Sequence, residues 1–110
     1  MVEATSSARI VLTTAASPEE ASRMGLKLVE ERLAACATLV PTVESIYRWK
    51  EKIETSSEVL ALLKSTTWKY QLLEARILEL HPYEVPEIIS IRIDSGNLEY
   101  LRWIEQSVIL

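Results

Sequence analysis

Val43-Glu-Ser-Ile-Tyr-Arg-Trp-Lys-Glu-Lys52 decides the fold of this chain. Val43, Ser45, Tyr47, Trp49 and Glu51 alternate along it with Glu44, Ile46, Arg48, Lys50 and Lys52. A period of two filled with β-branched and aromatic residues is that of a β-strand. Before it stands Ala37-Thr-Leu-Val40, broken at Pro41, so the strand reads from about Ala37 to Ile53. After it, Thr55-Ser-Ser57 reads as a turn. The run Val59-Leu-Ala-Leu-Leu63, inside Glu58 to Lys64, reads as a buried strand paired back in a hairpin.

The flanks give the remaining elements. Arg9-Ile-Val-Leu-Thr-Thr14 is a short apolar strand. Ser17-Pro-Glu-Glu20 starts a helix, with a serine cap, proline at the first helical position and an acid placed for a capping box. Ala21, Met24, Leu28 and Val29 follow at helical spacing, and that helix should end near Leu33. Thr66 or Thr67 can cap a second helix with the stripe Tyr70, Leu73, Ile77 and Leu80, stopped by Pro82. Ile89, Ile91 and Ile93 alternate with Ser90 and Arg92 in a last strand. Asn97 can cap a final helix whose inner face is Leu101, Ile104 and Val108.

Strand, helix, strand, strand, helix, strand and a short helix is the order of an α+β, ferredoxin-like βαββαβ sandwich. The expected layout is a flexible tail over residues 1–8 and one domain over 9–110. The hairpin is much longer than the first strand, so it must overhang the sheet. An overhanging pair with exposed Tyr47 or Trp49 is an aggregation hazard unless covered. A partner subunit adding its own strand is the simplest cover, and the C-terminal helix folding over it is the alternative.

Composition narrows function. Sixteen acids against twelve bases give a formal charge of −4, and the bases are scattered, which argues against nucleic-acid binding. The N-terminal residues do not read as a signal peptide, and Leu33 to Val43, the longest uncharged stretch, is too short to span a bilayer, so no membrane partner is expected. A lone cysteine fits a reducing cytoplasm. Two glycines build no phosphate loop, and one cysteine and one histidine exclude most metal and catalytic templates within a single chain.

Four blocks of the sequence resemble the CutA divalent-cation tolerance family: Glu31-Arg-Leu-Ala-Ala-Cys-Ala-Thr-Leu-Val-Pro41, Ser45-Ile-Tyr-Arg-Trp-Lys-Glu-Lys52, His81-Pro-Tyr-Glu-Val-Pro-Glu87 and Gly96-Asn-Leu-Glu-Tyr-Leu-Arg-Trp103. The resemblance spans about Ile10 to Ser107. It implies a ferredoxin-like subunit in a homotrimer similar to PII signalling proteins, with clefts between subunits, and an association with copper and other divalent cations. Two positions depart from the family's pattern. Thr42 follows Pro41 where many members have glycine, and Thr13 and Thr14 stand where some members carry a further cysteine.

The candidate metal ligands are Cys36, His81, Glu84 and Glu87. A thiolate suits Cu(I), and an imidazole with carboxylates suits Cu(II) or Zn(II). The bland alternatives are a small buried hydrophobe for Cys36 and a helix C-terminal cap for His81. Tyr47, Trp49 and Tyr83 read as an aromatic wall of an intersubunit cleft or as interface packing. Lys52 and Lys64 can meet an anionic ligand, as in a PII-like regulator, or stay solvated or paired with Glu54 or Glu58. Trp68 and Trp103 read as core or interface aromatics. No catalytic set emerges, so the expectation is a non-enzymatic, metal-binding homotrimer with a divalent ion, copper foremost.

Overall fold

A computed structural model describes residues 6–109. The elements are β1 (Ala8–Ala15), α1 (Pro18–Glu30), β2 (Cys36–Trp49), β3 (Lys52–Thr66), α2 (Tyr70–Leu80), β4 (Ile89–Arg92) and α3 (Leu98–Ser107). The four strands form one antiparallel sheet in the order β2-β3-β1-β4. This is the expected ferredoxin-like sandwich with an extended β2–β3 hairpin and a short C-terminal helix.

One face of the sheet is sealed by α1 and α2. Val11, Ala61 and Leu63 pack there against Met24, Leu28, Leu73 and Ile77, with Tyr70 and Leu80 at the edge. Gly25 lets α1 approach closely, since a Cβ there would stand 3.1 Å from the Ala37 Cβ on β2. Helix α3 packs elsewhere. Ile104 and Val108 are fully buried against Ala8 and Ala35, with Leu101 beside them.

The other sheet face is apolar and largely open. Strand neighbours point to opposite faces, so Ile10, Leu12, Leu60 and Leu62 share a side that α1 and α2 do not cover. Ile91 and Ile89 stand opposite Ile10 and Leu12 on that side, each 48% exposed.

The hairpin overhangs as expected. Pairing of β3 with β1 stops at Val59–Ala15, whereas pairing of β3 with β2 continues to Lys52–Trp49. Residues 52–58 therefore extend roughly 23 Å beyond β1. The chain measures 52 × 28 × 22 Å with a radius of gyration of 14.9 Å. A compact chain of this length would have about 13 Å.

Several local readings are corrected. The hairpin turns at Lys50-Glu51, not at Thr55-Ser56-Ser57, which lie within β3. Both turn residues have positive φ (51° and 67°), the mark of a type I′ two-residue turn. Strand β2 starts at Cys36 and carries a bulge between Val40 and Val43, where Thr42 takes a left-handed φ of 62°. Helix α1 ends at Glu30, and Arg32 reverses the chain with a φ of 60°. Ser17 Oγ accepts from the Glu20 amide at 3.2 Å, but Glu20 Oε2 is buried without a partner, so only half of the capping box forms. The N-cap of α2 is Lys69, without a side-chain cap; Thr66 belongs to β3, and the Thr67 hydroxyl bonds the Ser7 carbonyl. Asn97 caps α3 as expected, its Oδ1 accepting from the Tyr100 amide. Trp68 and Trp103 lie exposed on the surface of the chain rather than in its core. Ala8 opens β1 and is buried, and Ser7 Oγ donates to Glu105 at 2.7 Å. Residues 1–5 of the expected tail lie outside the described residues.

Candidate functional site

The overhang creates the site. Directly opposed residues share a face, so Tyr47 stands beside Glu54, and Ser45, Trp49 and Glu58 lie on the same side of the hairpin. The segment after α2 runs past this face. Together they line an open cavity of about 660 Å³. The hairpin contributes Ser45, Ile46, Tyr47, Trp49, Glu54 and Glu58; the segment contributes Tyr83, Glu84, Val85, Pro86 and Glu87; Thr14 closes the end.

His81 pins that segment. The residue is 8% exposed, and its Nε2 lies 2.6 Å from the Thr14 carbonyl oxygen while Nδ1 lies 3.2 Å from the Tyr83 backbone nitrogen. A carbonyl can only accept and an N–H can only donate, so Nε2 carries the proton and Nδ1 accepts. Both ring nitrogens are engaged. The helix-capping role belongs to the His81 backbone amide, which bonds the Ile77 carbonyl at 2.8 Å, and not to the ring. The ring packs against Tyr83 at 4.5 Å between centroids and walls a second cavity of about 170 Å³ with Glu20, Arg23 and Lys27.

Tyr83 Oη donates to Glu58 Oε2 at 2.7 Å. Burial, then this bond and the nearby charge of Glu58, push the phenol well above its ordinary range. Glu58 is only 7% exposed, and no ion pair reaches it among the described residues. Four carboxylates therefore line the cavity (Glu54, Glu58, Glu84, Glu87), and none of the described lining residues is basic.

Tyr47, Trp49, Tyr83, Glu84 and Glu87 are thus brought together, as neighbours in one cavity. The cavity also uses Glu54 and Glu58, considered in the sequence only as salt-bridge partners for Lys52 and Lys64. Register supplies the missed signal, because Glu54 opposes Tyr47 only once the turn is set at Lys50-Glu51. Lys52 sits at the hairpin tip opposite Trp49, outside the lining. Lys64 is far up β3, where its Nζ donates to Thr38 Oγ1 at 3.0 Å.

Cys36 stands apart. It pairs with Lys64, which faces Ile10 on β1, while the His81 ring meets Thr14, four residues further along that strand. That offset alone is roughly 13 Å. The thiol is half-buried, with Sγ 3.8 Å from Tyr100 Oη on α3. Burial, followed by this contact, raises the Tyr100 phenol above its ordinary value. Among the described residues, no three His, Cys, Asp or Glu side chains are grouped to hold a metal ion. The donors within one chain therefore do not fit a copper centre: the carboxylates suit hard ions, and the soft thiol and the imidazole lie apart.

A ferredoxin-like sandwich with an open apolar sheet face and an overhanging hairpin defines the class, shared with PII-like proteins. Residues 9–107 match the family model for the CutA1 divalent ion tolerance protein. The chain belongs to this family. It is 46% identical over 98 residues to the divalent-cation tolerance protein CutA of Thermus thermophilus, covering 89% of this chain and 95% of that one. The solved structure of the PII-like protein CutA from Nostoc, in apo form, superposes with a TM-score of 0.86 at 38% identity, covering 93% of this chain and 98% of that one. A structure described as the periplasmic divalent cation tolerance protein CutA of Archaeoglobus fulgidus gives 0.89 at 32% identity, covering 93% and 99%. No helix among the described residues is long and apolar enough to cross a membrane.

Proposed function

We propose that the chain works as a non-enzymatic, cytoplasmic homotrimer that binds divalent metal ions, copper foremost, and takes part in the response to divalent cations. The observation that carries the assembly is the uncovered apolar face of Ile10, Leu12, Leu60, Leu62, Ile89 and Ile91. A contiguous apolar sheet face of this kind marks a protein interface. The overhanging hairpin supports it, since unpaired edge groups call for a partner strand. Membership of a divalent ion tolerance family supports the cation response.

Because one chain does not converge its donors, the metal site in this reading is completed between subunits. Cys36, His81, Glu84 and Glu87 are its candidate ligands, drawn from more than one chain. His81 joins only by releasing Thr14 or the Tyr83 amide. The alternative is a PII-like regulatory trimer whose clefts bind a small anionic ligand or a partner protein; its anionic form has weaker support, because the cavity is lined by carboxylates and Lys52 and Lys64 lie outside it. A lone cysteine supports a reducing compartment, which cell fractionation tests.

The test is titration of purified protein with Cu(II) and Cu(I) beside a Cys36→Ala, His81→Ala double variant. Weaker binding in the variant supports the ligand assignment, and equal binding removes it. Light scattering tests the assembly. A concentration-independent monomer would overturn the trimer.

A further inference from the structure

The hairpin cavity has room for more than a metal ion. Its volume of about 660 Å³ is that of a site for a small molecule rather than a bare ion. Its four carboxylates surround that space without converging, and no metal-holding group of three is found among the described residues. Three aromatic rings, Tyr47, Trp49 and Tyr83, share the lining. Aromatic faces offer no ligand atoms to a hard metal ion, but they attract organic cations, and tryptophan does so best. Lys50 Nζ lies 5.8 Å from the Trp49 ring centroid, within reach of that attraction.

Glu58 sharpens the case. It is a carboxylate more than nine-tenths buried that accepts a hydrogen bond from the neutral hydroxyl of Tyr83. No cationic side chain pairs with it among the described residues. A buried carboxylate is costly unless a cation or several donors meet it. A cleft lined by one sign of charge also concentrates ions of the other sign.

The geometry points to this cavity as a receptor for a compact organic cation of the ammonium class. The cation lies against Tyr47, Trp49 and Tyr83, and its charge is met by Glu58 and by Glu84 and Glu87 at the rim. An inorganic ion would use the carboxylates alone. An anion would meet four negative groups.

Tetramethylammonium and the diammonium putrescine serve as probes on the full chain, in whatever oligomer light scattering finds. Binding is read by calorimetry against sodium at matched ionic strength. Both probes should bind, and Trp49→Leu and the Glu84→Gln, Glu87→Gln pair should each weaken them about tenfold or more. Trp49→Leu leaves the charge unchanged, so a loss there shows the aromatic contribution. A Glu30→Gln, Glu99→Gln pair, which removes equal charge outside the cavity, should bind as the parent does. Glu58→Gln adds a buried arm, while the exposed Glu84 and Glu87 keep the test independent of folding defects. No binding up to about 10 mM overturns the proposal, as does binding unchanged by all cavity variants or weakened equally by the remote pair. Cys36→Ala separates this inference from the metal reading, because Cys36 lies outside the cavity: loss of copper affinity there leaves organic-cation binding intact.

Discussion

Tyr83 and Glu58, from the segment after α2 and from β3, are joined by a 2.7 Å hydrogen bond in which the phenol donates to the carboxylate. This bond ties the two walls of the cavity together. Replacing Tyr83 by Phe leaves a mostly buried carboxylate short of a donor, at a cost of about 1–3 kcal/mol. Urea denaturation should show that loss. Glu58→Gln, whose amide oxygen still accepts, should lose less.

The same bond sets a pH dependence. The folded-state pKa of Tyr83 is raised above its ordinary 10.0, first by burial and then by Glu58. A raised pKa means the folded state favours the protonated phenol. Its contribution is complete below the unfolded pKa and is lost as pH rises beyond it toward the folded value. Stability of the parent chain should therefore fall more steeply above pH 10.0 than that of Tyr83→Phe, as read from melting temperatures in alkaline buffers.

Thr42 sits in the β2 bulge at a φ of 62°. A β-branched residue is poorly tolerated there, because its side chain crowds the backbone. Thr42→Gly removes that crowding. It should stabilise the fold by about 0.5–1 kcal/mol, a net of relieved strain over lost backbone restriction. Equilibrium denaturation with an unchanged m-value would show it, and destabilisation would contradict the strain.

Much of this fold was legible in the sequence, and the failures that bear on the site share one cause. Alternation from Val43 to Trp49 correctly placed Tyr47 and Trp49 on one face. The hairpin tip was misread because Lys50 and Glu51 fill a type I′ turn that usually takes Asn-Gly, while Thr55-Ser56-Ser57 imitate a turn inside a strand. Moving the tip re-pairs the strands, so the place of Glu54 opposite Tyr47 was invisible. The distance between Cys36 and His81 was equally hidden, since it depends on register and not on spacing along the chain. The tip itself yields a prediction. Lys50→Asn with Glu51→Gly should stabilise the hairpin by about 1 kcal/mol, read by chemical denaturation.

Arg76 on α2 grips Glu31, the C-cap of α1, through two bonds of 2.9 Å. The bond to Arg76 is the main reason the Glu31 carboxyl titrates below its ordinary 4.5. A depressed pKa gives stability that is present above the unfolded value and lost as pH falls through the folded one. The pair is exposed, so the effect is small and screened by salt. Arg76→Ala should melt slightly earlier than the parent near neutral pH. The gap should close below about pH 4 and in about 1 M salt. A gap that persisted in acid would assign the loss to packing of the arginine stem instead.

His81 decides between a structural and a ligating role. Its ring joins the Thr14 carbonyl on β1 to the Tyr83 amide, so it positions the segment that carries Tyr83, Glu84 and Glu87. His81→Ala orphans a buried carbonyl and frees that segment. The expected cost is about 1–3 kcal/mol in metal-free buffer containing a chelator. His81→Gln, which can still donate toward Thr14, should recover part of it. If the histidine acted only as a metal ligand, both variants would match the parent without metal and differ only when copper is added. Denaturation curves with and without copper therefore separate the two roles, and the hydrogen bonds require that a loss already be present in the chelated protein.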